Sequence, residues 1–326
     1  MTGVFSLKKL FCTTGILLFF IILGGLILPA SRFFTMPIAA KALAAGTITG
    51  HDYPLSLIDV SRASDRLPLE NNPSPNRIKD FSNPQMAAGA QHTCVLSEQG
   101  GAWCWGGNLF GQLGDGTTAT AIEPVAVRGL QSGLKSITAG LVHTCALTNL
   151  GGVKCWGRNL FGQLGDGTTI DRDQPVDVIG LSQGVIALSA GADHTCAVKQ
   201  AGGLVCWGRN FHGQVSGKPG SDVLSPVDLA GLPGRFVSLA AGGSHTCALS
   251  SMSEVFCWGG NWTGQLGNGL NTAQSAPVKV TVIVGSGVRQ VAAGSSHTCA
   301  LLLSGTVTCW GDNRYYQAGS TQVSKN

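Results

Sequence analysis

No His-Glu-x-x-His occurs in the sequence, and no Gly-Lys-Ser or Gly-Lys-Thr follows any of its glycine-rich turns. The first absence removes the helical zinc-protease site, and the second removes the phosphate-cradling loop of nucleotide-binding enzymes. Beyond the N-terminus there is also no helix-length stretch with apolar residues at i, i+3 and i+4, which excludes helical bundles and helical solenoids. Charge of one sign is lacking too: residues 87–326 carry 13 Lys and Arg against 12 Asp and Glu. Without a basic stripe there is no electrostatic reason to track a phosphate backbone, so a nucleic-acid partner is not expected. No catalytic residue, cofactor or enzymatic activity is expected either.

What is present begins with Lys8-Lys9, followed by a 19-residue uncharged run from Leu10 to Leu28 that ends at Pro29. At ~1.5 Å per residue this run approaches the ~30 Å hydrocarbon core of a bilayer. Residues 1–45 are expected to be an export signal or a membrane anchor. Anchoring is favoured by the length of the run, and cleavage by the Ala42-Leu43-Ala44 pattern. The basic flank places the remainder outside the cytoplasm, membrane-anchored through residues 10–28 or secreted. Residues 46–73, rich in Pro, Asn and Ser without periodicity, read as a tether.

The rest is a repeat. His-Thr-Cys recurs at 92–94, 143–145, 194–196, 245–247 and 297–299, and Cys-Trp-Gly begins ten residues after each of those cysteines. Ala-Gly stands just ahead of each histidine, Gly-x-Asn includes the glycine after each tryptophan, and Gly-Gln-Leu-Gly usually follows, as at Gly111-Gln112-Leu113-Gly114. Pro-Val comes about twenty residues further on. Short runs of alternating apolar residues bounded by glycine are strands, and four fit in each unit. Four short strands repeated radially form the blade of a propeller.

These motifs resemble the regulator of chromosome condensation repeat family, with all five copies lying between residues 74 and 326. The resemblance implies an all-β propeller of five four-stranded blades, with units near 87–138, 139–189, 190–240, 241–292 and 293–326. The third and fifth units depart from the motif at Gln214-Val215-Ser216-Gly217 and Tyr316-Gln317-Ala318-Gly319. The family also suggests nucleotide exchange on a small GTPase. Export and the constant spacing, which leaves no room for an inserted wedge, count against that reading. The fifth unit ends early, and Pro75 precedes His92 by 17 residues, much as Pro124 precedes His143 by 19. Residues 74–90 are therefore expected to supply two strands that complete the last blade and close the ring, removing free sheet edges.

Ten of the 11 cysteines pair across a short turn. Opposed residues in an antiparallel hairpin approach closely enough for a disulfide, and an oxidising compartment favours one. The expected bonds are Cys94–Cys104, Cys145–Cys155, Cys196–Cys206, Cys247–Cys257 and Cys299–Cys309. A Cys₂His metal set such as His92, Cys94 and Cys104 is the competing reading, with the histidine otherwise packing between blades and holding a backbone group.

The candidate recognition site lies within Asn-x-x-Gly-Gln. The framing residues are nearly constant, whereas the enclosed pairs are Leu109-Phe110, Leu160-Phe161, Phe211-His212, Trp262-Thr263 and Arg314-Tyr315. All five follow the Trp-Gly strand and so fall on one rim. Aromatic and Arg side chains on short loops are the types that dominate binding hot spots. The expected function is an extracytoplasmic binding or scaffolding propeller that recognises a protein or a glycan through this rim. The alternative is an inhibitor of an extracytoplasmic enzyme such as a β-lactamase.

Overall fold

The computed structural model describes residues 85–283 and 287–319, all within the compact unit Pro73–Asn326. The apolar run at 10–28, the tether at 46–73 and the Pro75 strand lie outside the described residues. Among the described residues there is no helix, and hence none long and apolar enough to cross a membrane.

Five antiparallel sheets follow one another along the chain. The first contains β1 (Met86–Ala88), β2 (His92–Leu96), β3 (Ala102–Gly106) and β4 (Ala121–Ala126). The second contains β5 (Leu134–Ala139), β6 (His143–Thr148), β7 (Val153–Gly157) and β8 (Arg172–Asp177). The third is built from β9 (Val185–Ala190), β10 (His194–Lys199), β11 (Leu204–Gly208) and β12 (Val223–Asp228). The fourth comprises β13 (Phe236–Ala241), β14 (His245–Ser250), β15 (Val255–Gly259) and β16 (Gln274–Lys279). The fifth has three strands among the described residues, β17 (Val288–Ala293), β18 (His297–Leu302) and β19 (Val307–Gly311).

Within each of the first four blades the Ala-Gly strand comes first, then the His-Thr-Cys strand, then the Cys-Trp-Gly strand and last the Pro-Val strand, and the fifth has the first three in the same order among the described residues. Register across the central hairpin places the cysteines directly opposite each other, as in Cys145↔Cys155 and Cys247↔Cys257. All five expected disulfides form, with Cα atoms 4.0–4.1 Å apart. Each Cys-Trp-Gly strand ends at a glycine with φ between 100° and 105°, at Gly106, Gly157, Gly208, Gly259 and Gly311. A side chain there would be strained, and on Gly157 its Cβ would lie 2.7 Å from the Val142 carbonyl oxygen. The chain leaves the sheet at this point and enters the rim loop.

The core lies between blades. One face of a sheet presents its cystine and the neighbouring aliphatic residues, and the opposite face of the next sheet presents its tryptophan. Cys94, Leu96, Cys104 and Leu113 thus pack against Ile137, Ala146 and Trp156. The same layer recurs with Cys145, Leu147 and Val153 against Val205 and Trp207, and onward along the chain.

The structure corrects the expected ring closure in one respect. Met86–Ala88 pairs with β2 of its own first blade, and the fifth blade supplies its own Ala-Gly strand, β17. The strand order within a blade is the reason: the Ala-Gly strand is joined by a tight turn to the histidine strand that follows it.

Candidate functional site

The fixed residues of the repeat form a latch between consecutive blades. His92 Nε2 lies 2.8 Å from Thr144 Oγ1, and His143 with Thr195, His194 with Thr246 and His245 with Thr298 repeat the pair. The Thr144 hydroxyl donates to the Gln112 backbone carbonyl at 2.9 Å, so it accepts from the histidine, and Nε2 carries the ring proton. The same carbonyl accepts the Trp156 indole N–H at 2.9 Å. Gln163, Gln214 and Gln265 receive equivalent pairs from the next three blades.

Burial pushes the histidine rings down, to about 4 for His92 and His194 and to about 3 for His143 and His245. They are neutral at physiological pH: each Nδ1 is buried without a hydrogen-bond partner, so a second ring proton would have no acceptor. The sequence reading expected each histidine to hold a backbone group. The direct partner is instead the threonine hydroxyl of the next blade, which relays to the backbone. The ligand atoms of the Cys₂His reading are already engaged, sulfur in the disulfide and Nε2 in the latch. Thr of His-Thr-Cys recurs in every unit and was not singled out from sequence, although that constancy was the available signal.

Above the latch, the buried Asn and Gln of the first four Asn-x-x-Gly-Gln loops hold the loop frame. Asn159 Oδ1 accepts from Leu164 N at 3.0 Å, while its Nδ2 donates to Asp166 at 3.0 Å and to the Thr168 carbonyl at 3.0 Å. Gln163 Oε1 accepts from Phe161 N at 2.9 Å. The Asp-Gly-Thr turns close on themselves: Asp166 takes Thr168 N, Thr168 Oγ1 and Arg172 Nε, and these bonds hold its carboxyl below the ordinary range despite a desolvation that raises it.

The framed pairs do not all point the same way. Leu109 is 75% exposed and Tyr315 82% exposed, and Leu160 and Phe211 also face solvent. Phe110 instead turns under the guanidinium of Arg158, 5.0 Å from its ring centroid. Phe161 sits between Arg158 at 5.9 Å and Arg209 at 4.7 Å. On the next loops Phe211 and Trp262 both meet His212 edge-on, at 4.7 and 4.4 Å. The Thr263 hydroxyl reaches the Ser296 carbonyl at 2.9 Å, and Arg314 folds back onto Asp312 at 3.0 Å.

The rim therefore carries a band of aromatic rings interleaved with Arg158 and Arg209. These two arginines fill the variable position of Gly-x-Asn and were missed from sequence, where that position looked like filler. Beside them lies Asp193, whose carboxyl burial raises above the ordinary value against the pull of Arg209 and Arg158. An open cleft between blades is lined by Leu109, Phe110, Thr118, Asp171, Arg172 and Asp173.

One segment, Gly180-Leu181-Ser182-Gln183-Gly184, has the spacing of a nucleophile elbow. That motif needs a strand-to-helix turn and a histidine partner. Ser182 lies in an exposed turn between β8 and β9, and among the described residues the hydrogen bonds of the latch histidines go to threonines.

Comparison with known proteins agrees with this architecture. The regulator of chromosome condensation (RCC1) repeat matches at residues 99–147, 151–198, 201–249 and 253–301. A second description of the same repeat matches at 85–112, 134–163, 185–214, 236–265 and 288–317. The chain is 33% identical over 257 residues to the ultraviolet-B receptor UVR8 of Arabidopsis thaliana, covering 77% of this chain and 58% of that protein. It is 32% identical over 229 residues to the E3 ubiquitin-protein ligase HERC2 of Homo sapiens, covering 69% of this chain and 5% of that protein. The matches thus span only part of those relatives. Among solved structures, human WBSCR16 superposes with a TM-score of 0.62 at 24% identity, covering 70% of this chain and 61% of that one. Prp20p of Saccharomyces cerevisiae, characterised for its binding to Gsp1p and histones, superposes with a TM-score of 0.58 at 22% identity, covering 73% and 74%.

Proposed function

Because the chain belongs to the regulator of chromosome condensation (RCC1) repeat family, we propose that it is a protein-binding propeller that captures its partner on the rim of Asn-x-x-Gly-Gln loops and carries out no reaction of its own. The band of Phe110, Arg158, Phe161, Arg209, Phe211, His212 and Trp262 carries the proposal. Rings and guanidinium groups already stacked on one another lose little side-chain freedom on binding, which is the economy of a hot spot. The buried Asn and Gln frame keeps the band in place while the exposed residues differ from blade to blade. Binding of Gsp1p and histones by Prp20p supports a protein as the partner class. Five disulfides in a single small body support an oxidising, extracytoplasmic setting.

The test is a pull-down from the extracytoplasmic fraction with the protein and with its Phe211→Ala, Trp262→Ala, Tyr315→Ala triple variant. Phe211 and Tyr315 are exposed and Trp262 is half-buried, so the melting temperature should move by only a few degrees while capture is lost. Undiminished capture by the folded variant would place the binding surface elsewhere.

A further inference from the structure

The two ends of the blade series are opposite halves of one interface. Every junction inside the chain joins a forward flank, bearing the cystine, the histidine and the glutamine carbonyl, to a backward flank bearing a threonine and a tryptophan. The fifth blade has a forward flank with nothing described against it. Burial along β18 and β19 shows this directly: His297, Cys299, Leu301 and Cys309 are only half-buried, whereas their counterparts in the inner blades are buried. Val307 is 61% exposed, whereas its equivalents Val153 and Val255 are buried.

The first blade shows the converse. Its backward flank presents Met86, Trp103 and Trp105 where the fourth presents Leu239, Phe256 and Trp258, all buried. Met86 is 66% exposed, and Trp103 is exposed beside it. Among the described residues, Thr93 Oγ1 and Trp105 Nε1 on this flank find no hydrogen-bond partner, and neither do His297 Nε2 and the Gln317 carbonyl on the other.

We propose that copies of this chain associate head to tail, with the fifth-blade flank of one protomer docking on the first-blade flank of the next. Docking would repeat the internal latch: His297 would donate to Thr93 of the partner subunit, and Trp105 of the partner subunit would donate to the Gln317 carbonyl. Met86 and the two tryptophans of the partner's flank would cover Leu301, Val307 and the Cys299–Cys309 bond. The interface is heterologous, so copies close into a ring or extend as a chain according to the angle they adopt. The internal junctions are the argument for this occupant, because the chain itself makes this contact four times.

Light scattering on the full chain in detergent micelles, which keep the N-terminal apolar run from associating, tests the proposal together with two variants. Met86→Glu with Trp103→Glu blocks the first flank, and Leu301→Glu with Val307→Glu blocks the fifth. The native chain should have a mass of at least two protomers and each variant a mass of one. An equimolar mixture of the variants should form a 1:1 pair through the one intact flank on each. A monomeric native chain overturns the proposal, showing that the flanks meet within one chain or are covered by its own N-terminal residues. Variants that stay associated, or a mixture that stays monomeric, overturn it as well. If a double variant fails to fold, Met86→Lys and Val307→Lys alone, both at exposed positions, repeat the experiment.

Discussion

Acidification should loosen the blade junctions well before the carboxylates titrate. Four latch histidines are buried and neutral, with folded-state values of about 3 to 4 against an ordinary 6.5. In the unfolded chain they bind protons as pH falls through 6.5, but in the folded chain they do not. The unfolded state therefore holds more protons throughout that window, and stability falls with falling pH. pH 4.5 lies two units below the ordinary histidine value, which at ~1.36 kcal/mol per unit is about 2–3 kcal/mol per histidine and on the order of 10 kcal/mol for four. That sum is comparable with the whole stability of a typical domain, about 5–15 kcal/mol. Asp193, raised by burial, works in the opposite direction but is a single group. Asp166 and Asp312, held low, contribute stability that is lost only below the ordinary carboxylate range near 3.8. Urea unfolding followed by tryptophan fluorescence from pH 7.5 to 4.5 should show the midpoint falling steadily below pH 6.5, with His143→Gln removing about a quarter of the slope. A midpoint that stays flat to pH 5 would refute the neutral-latch argument.

Two further outcomes follow from the repeat. Replacing Cys247 and Cys257 by Ser removes a cross-link between residues ten apart, and the chain-entropy estimate gives a loss of about 2–3 kcal/mol; denaturant unfolding of oxidised protein against the double variant measures it, and an unchanged midpoint would show that the hairpin persists in the unfolded chain. Asn159→Ala leaves the Leu164 N–H buried without its acceptor and should cost about 1–3 kcal/mol. Hydrogen exchange at Leu164 should then accelerate by at least tenfold relative to its counterpart Leu266 in the same molecule.

Much of this molecule was legible without coordinates because repetition made local signals redundant. His-Thr-Cys and Cys-Trp-Gly, ten residues apart and present five times, determined the central hairpin of every blade and the pairing of every body cysteine, since opposed positions in an antiparallel pair can meet only in that register. The Asn-x-x-Gly-Gln frame likewise marked a scaffolded loop, in which Asn159 and Gln163 hold the backbone as fixed polar residues around variable ones would. The partners across blades were a different matter. Thr144 as the acceptor for His92, Arg158 over Phe110, and the position of Met86–Ala88 in the first blade depend on which flank faces which neighbour. Spacing along a strand determines which face a side chain occupies, but the sheet packed against that face is chosen only when the blades stack in three dimensions. For the same reason the uncovered flanks at the two ends, invisible in a sequence whose units look alike, are apparent only in the tertiary structure.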